Sequence, residues 1–193
     1  MDIIFASSNK GKIREFKEIL APYGINVLSL EDMNFTGDII EDGNTFLDNA
    51  IIKAKTIAKI YNKPAMSDDS GICVEALNGA PGVHSARYSP SRDDKENNKL
   101  LLKNLGDSKN RKAYYECDIV IYFPDDTYHS YIGRCYGKIG YKEEGTLGFG
   151  YDPLFIPDGY EISFGLIPSE EKHKISHRGN AIRAMLKEID KIF

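Results

Sequence analysis

The hydrophobic positions of the first thirty residues change from a strand-like run to a helical spacing and back. Residues 3–6 form a short apolar run that ends in the polar segment 7–9. The next apolar residues recur every three or four positions, as in an amphipathic helix, and are Ile13, Phe16, Ile19 and Leu20. Pro22 and Gly24 end this helix, and the apolar pattern of residues 25–30 predicts a second strand. This order of elements predicts an α/β fold.

A loop and a long helix are predicted next. Residues 31–44 are acidic and rich in turn formers. Thr45 and Asp48 have the spacing of a capping box, which marks the start of a helix. One apolar stripe then continues at helical spacing, made of Phe46, Leu47, Ala50, Ile51, Ala54, Ile57, Ala58 and Tyr61.

The middle of the chain predicts two short strands. Residues 64–67 form an apolar run that leads into the turn-like tetrapeptide Asp68-Asp69-Ser70-Gly71, and residues 72–77 would pair back as a hairpin arm. Four leucines between residues 92 and 105 predict a helix. Its first residues are highly charged, so the apolar pattern does not define where the helix begins.

The C-terminal part predicts an antiparallel pair of strands and a last helix. Two β-rich stretches, residues 112–123 and 127–139, are separated by Pro124-Asp125-Asp126, as in a hairpin. This hairpin is antiparallel, whereas the strand–helix–strand unit at the start of the chain is parallel, so the predicted sheet is mixed. Residues 145–152 form a glycine-rich loop, and Ser176 is a candidate N-cap for the helix that carries Ile182, Met185, Leu186 and Ile189.

Composition limits the class of protein. A chain of 193 residues with 41% hydrophobic residues fits one domain, with room for two lobes. Mean hydropathy is −0.39, no apolar run approaches the ~18 residues of a membrane span, and the N-terminus lacks the basic segment of a signal peptide. We therefore expect a cytoplasmic protein with no membrane partner. The three cysteines form no CxxC pair, which favours buried thiols over a disulfide or a zinc site.

The charge balance argues against nucleic acid as a partner. Lysine and arginine number 25 against 29 aspartate and glutamate, which gives a net charge of −4. Such a chain has no general attraction for a polyanion, although local basic positions can still hold a small phosphate. His84 and His129 have no metal-ligand spacing.

The segment Ser7-Ser8-Asn9-Lys10-Gly11-Lys12 is a candidate phosphate site. It lies where a strand ends and a helix begins, and helix N-termini attract anions through their unpaired N–H groups. It is not a Walker A loop, because the glycine-lysine pattern of that motif is missing. The alternative is a capped helix with exposed lysines.

Acidic residues and a lysine provide a candidate metal site. Mg²⁺ takes one or two protein carboxylates and fills its remaining positions with phosphate oxygens and water, and Glu41 with one of Asp68 and Asp69 would meet this need. Because successive strand residues point to opposite faces, only one of the two aspartates would face the site. Lys53 lies at the edge of the apolar stripe, where it would reach a site or be solvated.

Two further segments offer contacts for a nucleotide. In Gly148-Phe149-Gly150-Tyr151-Asp152-Pro153, the flanking glycines leave the Phe149 ring free to stack on a base, or the same residues form a tight turn around a buried ring. The segment 172–178 carries donors for a base edge or a phosphate, the alternative being a basic surface.

Seven blocks together resemble the inosine/xanthosine triphosphate pyrophosphatase family, and the match extends from residue 7 to about residue 183. In chain order they are Ser7-Ser8-Asn9-x-x-Lys12, Glu41-x-Gly43-x-Thr45-Phe46, Asn49-Ala50-x-x-Lys53-Ala54, Asp68-Asp69-Ser70-Gly71, Pro81-Gly82-x-x-Ser85-Ala86-Arg87-Tyr88, Gly148-Phe149-Gly150-Tyr151-Asp152-Pro153 and Ser176-His177-Arg178. The least typical segment lies between Pro157 and Glu170.

The resemblance implies an elongated, two-lobed α/β fold around a central twisted mixed sheet with flanking helices, a single ITPase-like domain over residues 1–193 with the active cleft between the lobes. It also implies a homodimer that hydrolyses ITP, dITP and XTP to the monophosphate and pyrophosphate with Mg²⁺, or Mn²⁺ as a substitute. Asp69 would be the catalytic base and, with Glu41, a metal ligand. The implied substrate-binding residues are Ser7, Ser8, Asn9, Lys10, Gly11, Lys12, Lys53, Ser70, Phe149, Gly150, Tyr151, Asp152, Lys172, His177 and Arg178.

Two other functions compete with this interpretation. A pyrophosphatase with another base preference, such as a Maf-like protein, would share the architecture. A nucleotide- or RNA-binding module would bind without releasing pyrophosphate, although it gains little from the negative charge.

Overall fold

The strands of the chain form one six-stranded sheet in the order β2-β1-β3-β4-β5-β6. The computed structural model describes all residues, 1–193. The strands are β1 (Asp2–Phe5), β2 (Asn26–Ser29), β3 (Ala65–Val74), β4 (Lys112–Tyr122), β5 (Tyr128–Ile139) and β6 (Phe155–Pro157). β1 pairs in parallel with β2 and β3, whereas β6 is antiparallel to β5. The predicted mixed sheet of an α/β fold is confirmed.

Six α-helices accompany this sheet, and two of them begin at the capping signals that the sequence predicted. They are α1 (Lys10–Leu20), α2 (Phe46–Tyr61), α3 (Asp94–Leu105), α4 (Ser169–Ile175), α5 (His177–Leu186) and α6 (Ile189–Ile192). The capping box predicted at Thr45 and Asp48 is present at the start of α2, and Ser176 caps α5. None of the helices is long and apolar enough to span a bilayer.

The chain divides into two compact units. The first unit comprises residues 1–69, 118–131 and 189–193, and the second comprises residues 70–117 and 132–188. The chain therefore passes from one unit to the other within β3, and again between β4 residues 117 and 118 and β5 residues 131 and 132.

Each unit has its own apolar core. In the first unit, the apolar stripe of α2 packs against residues of β1 and β3. The fully buried residues of this core include Ile4, Ala50, Ala54, Ile57 and Ala65. The second unit has a larger, aromatic-rich core, whose members include Ile72, Val74, Leu101, Tyr115, Leu154, Phe155 and Phe164. Burial of this area is the main stabilising contribution to each unit.

The predicted turn at residues 68–71 is wrong, because these residues lie inside the ten-residue strand β3. Burial of two unpaired carboxylates in a strand usually costs too much free energy for the strand to be stable. Here each carboxylate has a lysine partner, Lys12 for Asp68 and Lys53 for Asp69. Because the charges are compensated, the strand continues through them to Val74.

Smaller differences concern elements with weak sequence signals. α3 begins at Asp94 rather than Arg92, since Asp93 caps it through the backbone N–H groups of residues 95 and 96. β6 and α4 were not predicted, because three residues and seven residues are too short for a clear period.

The three cysteines are free and buried, as predicted. Burial raises the pKa of Cys73, and it raises the pKa of Cys135 to about 12. A raised pKa keeps a thiol protonated at neutral pH, and the protonated thiol is a poor nucleophile.

We therefore expect the native protein to react very slowly with Ellman's reagent at pH 8. In guanidinium chloride all three thiols become accessible, and the absorbance of the released chromophore should then reach three equivalents. Fast reaction of any thiol in the native protein would contradict the burial described here.

Candidate active site

The N-terminus of α1 lies at the carboxyl end of β1, as the sequence predicted. The Asn9 side chain caps the helix by accepting the backbone N–H of Lys12 at 3.1 Å, and the Ser7 hydroxyl accepts the N–H of Asn9 at 3.2 Å. Ser8, Lys10 and Gly11 around this cap are exposed. A helix start with accessible hydroxyl and ammonium groups suits a phosphate.

Lys12 lies at this helix start and pairs with Asp68. Its ammonium is 3.0 Å from Oδ1 and 2.9 Å from Oδ2 of the Asp68 carboxylate, which has no solvent exposure. The pairing follows from the register, because Phe5 of β1 is level with Met66 of the parallel strand β3. The residues after Phe5 therefore run beside Ser67 and Asp68, and the Lys12 ammonium neutralises the buried charge.

Glu41 and Asp69 converge on one ammonium group. The Lys53 Nζ atom of α2 lies 3.0 Å from Glu41 Oε2 and 3.1 Å from Asp69 Oδ1. Lys53 is 11% exposed and Asp69 16%, whereas the Glu41 side chain, in the loop before α2, is 34% exposed. Asp68 and Asp69 contact different helices, since the former pairs with Lys12 of α1 and the latter with Lys53 of α2.

Asn49 also belongs to this group, although the family block that contains it predicted no role for it. Its side-chain NH₂ donates to Asp69 Oδ2 at 3.3 Å, and its carbonyl oxygen accepts the backbone N–H of Gly43 at 2.9 Å. Asn49 is therefore the bridge that ties the loop of Glu41 to Asp69. An asparagine that interrupts the buried face of a helix is the signal that would have found it, because a buried amide needs partners.

Burial and the ion pairs have opposing effects on the pKa values of Asp69 and Lys53. Burial raises the pKa of Asp69, and the charge and hydrogen bond of Lys53 only partly offset this, so the net shift is upward. Burial opposes the charge of Lys53, but Asp69, Glu41 and Asp68 together outweigh it, so the pKa of Lys53 is raised and its ammonium stays charged.

No group of three or more His, Cys, Asp or Glu side chains is arranged to hold a metal ion. This does not count against Mg²⁺, which typically takes one or two protein carboxylates and completes its shell with phosphate and water. Glu41 and Asp69 supply two hard oxygen donors that already share a cation, the Lys53 ammonium. The donor set therefore fits a hard divalent ion.

In the second unit, the Gly148–Asp152 loop is built around a buried carboxylate. Asp152 accepts the backbone N–H of Phe149 at 2.9 Å and the Tyr115 hydroxyl at 3.4 Å. Gly148 has a φ of +75°, and a Cβ there would lie 2.1 Å from Asp152 Oδ2. The loop leaves the Phe149 ring 59% exposed, so the interpretation of this ring as a buried plug is wrong and the ring is accessible for stacking.

Lys172 of α4 completes this group. Its Nζ atom lies 2.5 Å from Asp152 Oδ2 and 5.0 Å from the centre of the Phe149 ring. The same ammonium is 5.2 Å from the centre of the Phe164 ring. Lys172 therefore links α4, which follows the least typical segment of the sequence match, to the aromatic loop.

Two residues of α3 also hold this loop, and neither was predicted. The Gly150 N–H donates to Asp94 Oδ2 at 2.9 Å, and Asn98 donates to the Gly150 carbonyl at 3.2 Å. Tyr151 is buried, and its hydroxyl donates to the carbonyl of Ser85 at 2.7 Å. Charged or amide side chains on a polar helix give no signal that they contact a loop some fifty residues away.

His177 and Arg178 form the start of α5. Both are largely buried, and the His177 ring stacks on Tyr115 with centroids 4.6 Å apart and an interplanar angle of 11°. The cap of α5 by Ser176 fixes their backbone positions. Stacking on Tyr115 fixes the orientation of the imidazole. The alternative interpretation of these two residues as an exposed basic surface is wrong.

The predicted site residues fall into two sets according to the units of the chain. The first unit brings together the phosphate segment and the acidic pair, and its members are Ser7, Ser8, Asn9, Lys10, Gly11, Lys12, Glu41, Lys53 and Asp69. The second unit contains Ser70, Phe149, Gly150, Tyr151, Asp152, Lys172, His177 and Arg178. Ser70 is half-buried on β3.

Known proteins resemble this chain over nearly its whole length. A model of the Ham1 family matches residues 3–188. A dITP/XTP pyrophosphatase of Listeria monocytogenes is 43% identical over 98% of this chain and 95% of the relative, and one of Bacillus subtilis is 40% identical over 98% and 97%. The solved structure of the Staphylococcus aureus Ham1 protein has a TM-score of 0.94 at 36% identity, with full coverage of both chains. A family match of this extent, with relatives at 40% identity or more, places the chain in the Ham1 family.

Proposed function

We propose that this chain is a dITP/XTP pyrophosphatase that hydrolyses deaminated purine nucleoside triphosphates to the monophosphate and pyrophosphate. The relatives from Listeria monocytogenes and Bacillus subtilis carry that name. The structural observation that supports it is the convergence of Glu41 and Asp69 on one cation position, in the same unit as the α1 N-terminus.

The first unit binds the triphosphate in this proposal. The segment Ser7–Lys12 supplies hydroxyl, amide and ammonium donors at a helix N-terminus, and Lys53 supplies another ammonium. Several positive groups are needed, because a triphosphate brings about four negative charges and positioning with charge compensation provides most of the catalysis of phosphoryl transfer.

Glu41 and Asp69 would hold a divalent cation, Mg²⁺ or Mn²⁺ in its place, which would supply charge compensation at the phosphate oxygens. Asp69 also orients the attacking water and accepts its proton as the water attacks the α-phosphorus, and pyrophosphate leaves with the oxygen that bridged the α- and β-phosphorus atoms. Asn49 donates to the second Asp69 oxygen and so fixes the plane of the carboxylate. A general base in this position is typically worth 10²–10⁴-fold in rate.

The second unit recognises the base. The exposed ring of Phe149 stacks on the purine, Tyr151 and Asp152 keep the loop in place, and Lys172 stays beside the ring through its pair with Asp152. His177 and Arg178 read the 6-oxo group. Adenine carries a 6-amino donor instead of that acceptor, so it leaves buried donors unpaired and is bound less well.

The proposed domain organisation, oligomeric state and location of the enzyme follow from the family resemblance. Residues 1–193 act as one ITPase-like domain whose two units serve one reaction. Following the family resemblance, the enzyme is a homodimer and works on the cytoplasmic nucleotide pool, which light scattering of the purified protein and cell fractionation would test.

A panel of triphosphates tests the function. Pyrophosphate release should be at least about tenfold faster from dITP and XTP than from dATP, whose 6-amino group leaves the donors unpaired, and it should stop when EDTA removes the divalent ion. A preference for a standard nucleotide would favour a Maf-like activity. Binding of nucleotides without release of pyrophosphate would favour a binding module and refute the proposal.

A further inference from the structure

Lys53 occupies a position that the proposed chemistry assigns to another cation. Its ammonium bridges Glu41 and Asp69 at 3.0 and 3.1 Å, and these are the two carboxylates proposed as metal ligands. A lysine that served only as a phosphate contact would have no need to bond both. The inference that follows rests on the proposed function of this carboxylate pair.

We infer that Lys53 is the resident counter-ion of the nucleotide-free site, which competes with the divalent cation for Glu41 and Asp69. When a divalent ion is bound, Lys53 gives up a carboxylate contact, and its ammonium becomes available to phosphate oxygens. One lysine thus has two successive partners.

The charges of the carboxylate pair explain the need for such a group. Glu41 and Asp69 are adjacent like charges in a largely buried position, which is costly unless a cation compensates them. Lys12 does not serve here, because its ammonium already bonds both oxygens of Asp68. Lys53 therefore compensates both carboxylates of the pair.

The contacts also show how Lys53 can be released. Asp69 is fixed through its other oxygen by Asn49. Glu41 lies in a loop without regular secondary structure, and its side chain is the most exposed of the three. The Lys53–Glu41 contact is therefore the easier one to exchange, because its two long side chains are the least constrained.

Competition of this kind makes the free enzyme a weak binder of divalent ions. Each ion has to displace an ammonium that two carboxylates hold, so affinity rises only when a nucleotide offers its phosphates to the displaced lysine. Removal of the Lys53 ammonium should therefore strengthen the binding of divalent ions in the absence of nucleotide.

Titration with Mn²⁺ in the absence of nucleotide tests this inference, with free Mn²⁺ measured by electron paramagnetic resonance. Lys53→Met keeps the aliphatic stem and removes the charge, and it should bind Mn²⁺ about tenfold more tightly than the natural chain, which corresponds to about 1.4 kcal/mol. Lys53→Arg keeps a cation and should stay close to the natural affinity. Lys59→Met is the matched control, because Lys59 lies on the same helix and pairs with the exposed Asp126, and it should change nothing.

Equal or weaker binding of Mn²⁺ by Lys53→Met would overturn the inference. If that variant does not fold, as judged by its circular dichroism and melting curve, Lys53→Gln replaces it with the same expected direction. Pyrophosphate release from dITP by the natural chain is measured in parallel. Tighter Mn²⁺ binding without any release would refute the proposed function and leave the competition standing, whereas release with unchanged Mn²⁺ binding would refute only the competition.

Discussion

Asp69→Asn should lower kcat for dITP by about three orders of magnitude and leave the fold intact. The substitution conserves shape but removes a negative charge and the only proton-accepting oxygens assigned to the attacking water. Loss of a positioned general base costs about 10²–10⁴-fold, and loss of a carboxylate that holds the cation adds to this. Steady-state kinetics with a coupled pyrophosphate assay measure the effect.

The control for this substitution removes the same charge elsewhere in the first unit. Asp38 is exposed in the loop between β2 and α2, so Asp38→Asn should have natural kcat and KM. Melting curves of the two variants should both resemble that of the natural chain. A rate for Asp69→Asn within a few-fold of the natural rate would show that another group activates the water.

Gly148→Ala should lower kcat/KM for dITP by about a hundredfold. The added Cβ would lie 2.1 Å from the Asp152 carboxylate, at a residue with φ +75°. The carboxylate cannot move away cheaply, because it is buried and bonded to Lys172 and to the Phe149 N–H. The loop must therefore shift, and a displacement of about 1 Å in a binding group can cost about 10²-fold.

Gly159→Ala separates backbone strain from this clash. Gly159 has a similar φ of +84° in the same unit, but a Cβ there meets nothing within 4 Å. Both variants carry the cost of a left-handed alanine, about 1–2 kcal/mol, so both should lose some stability. Only Gly148→Ala should lose activity, and equal activity losses would mean that the position of the Phe149 loop is not what matters.

Local signals in the sequence predict much of the fold. The capping box at Thr45 and the apolar stripe after it are sufficient to place α2, because helix starts and amphipathic periods are local properties. The same holds for α1, where Asn9 caps the helix and Gly24 follows its end with a positive φ. These elements also carry the first set of site residues.

Interactions between distant residues explain what the sequence argument missed. Asp68 and Asp69 look like a turn, since their partners Lys12 and Lys53 are 56 and 16 positions away. Only the folded chain shows that these charges are compensated inside a strand. The role of Asn49 was not predicted for the same reason, because this side chain bridges Gly43 and Asp69 only in the folded chain.

The most direct test of the central claim is hydrolysis of dITP in water enriched in ¹⁸O, with the products analysed by mass spectrometry. Attack of water on the α-phosphorus predicts one ¹⁸O atom in dIMP and none in pyrophosphate. Label in pyrophosphate, or release of orthophosphate as the first product, would contradict the account.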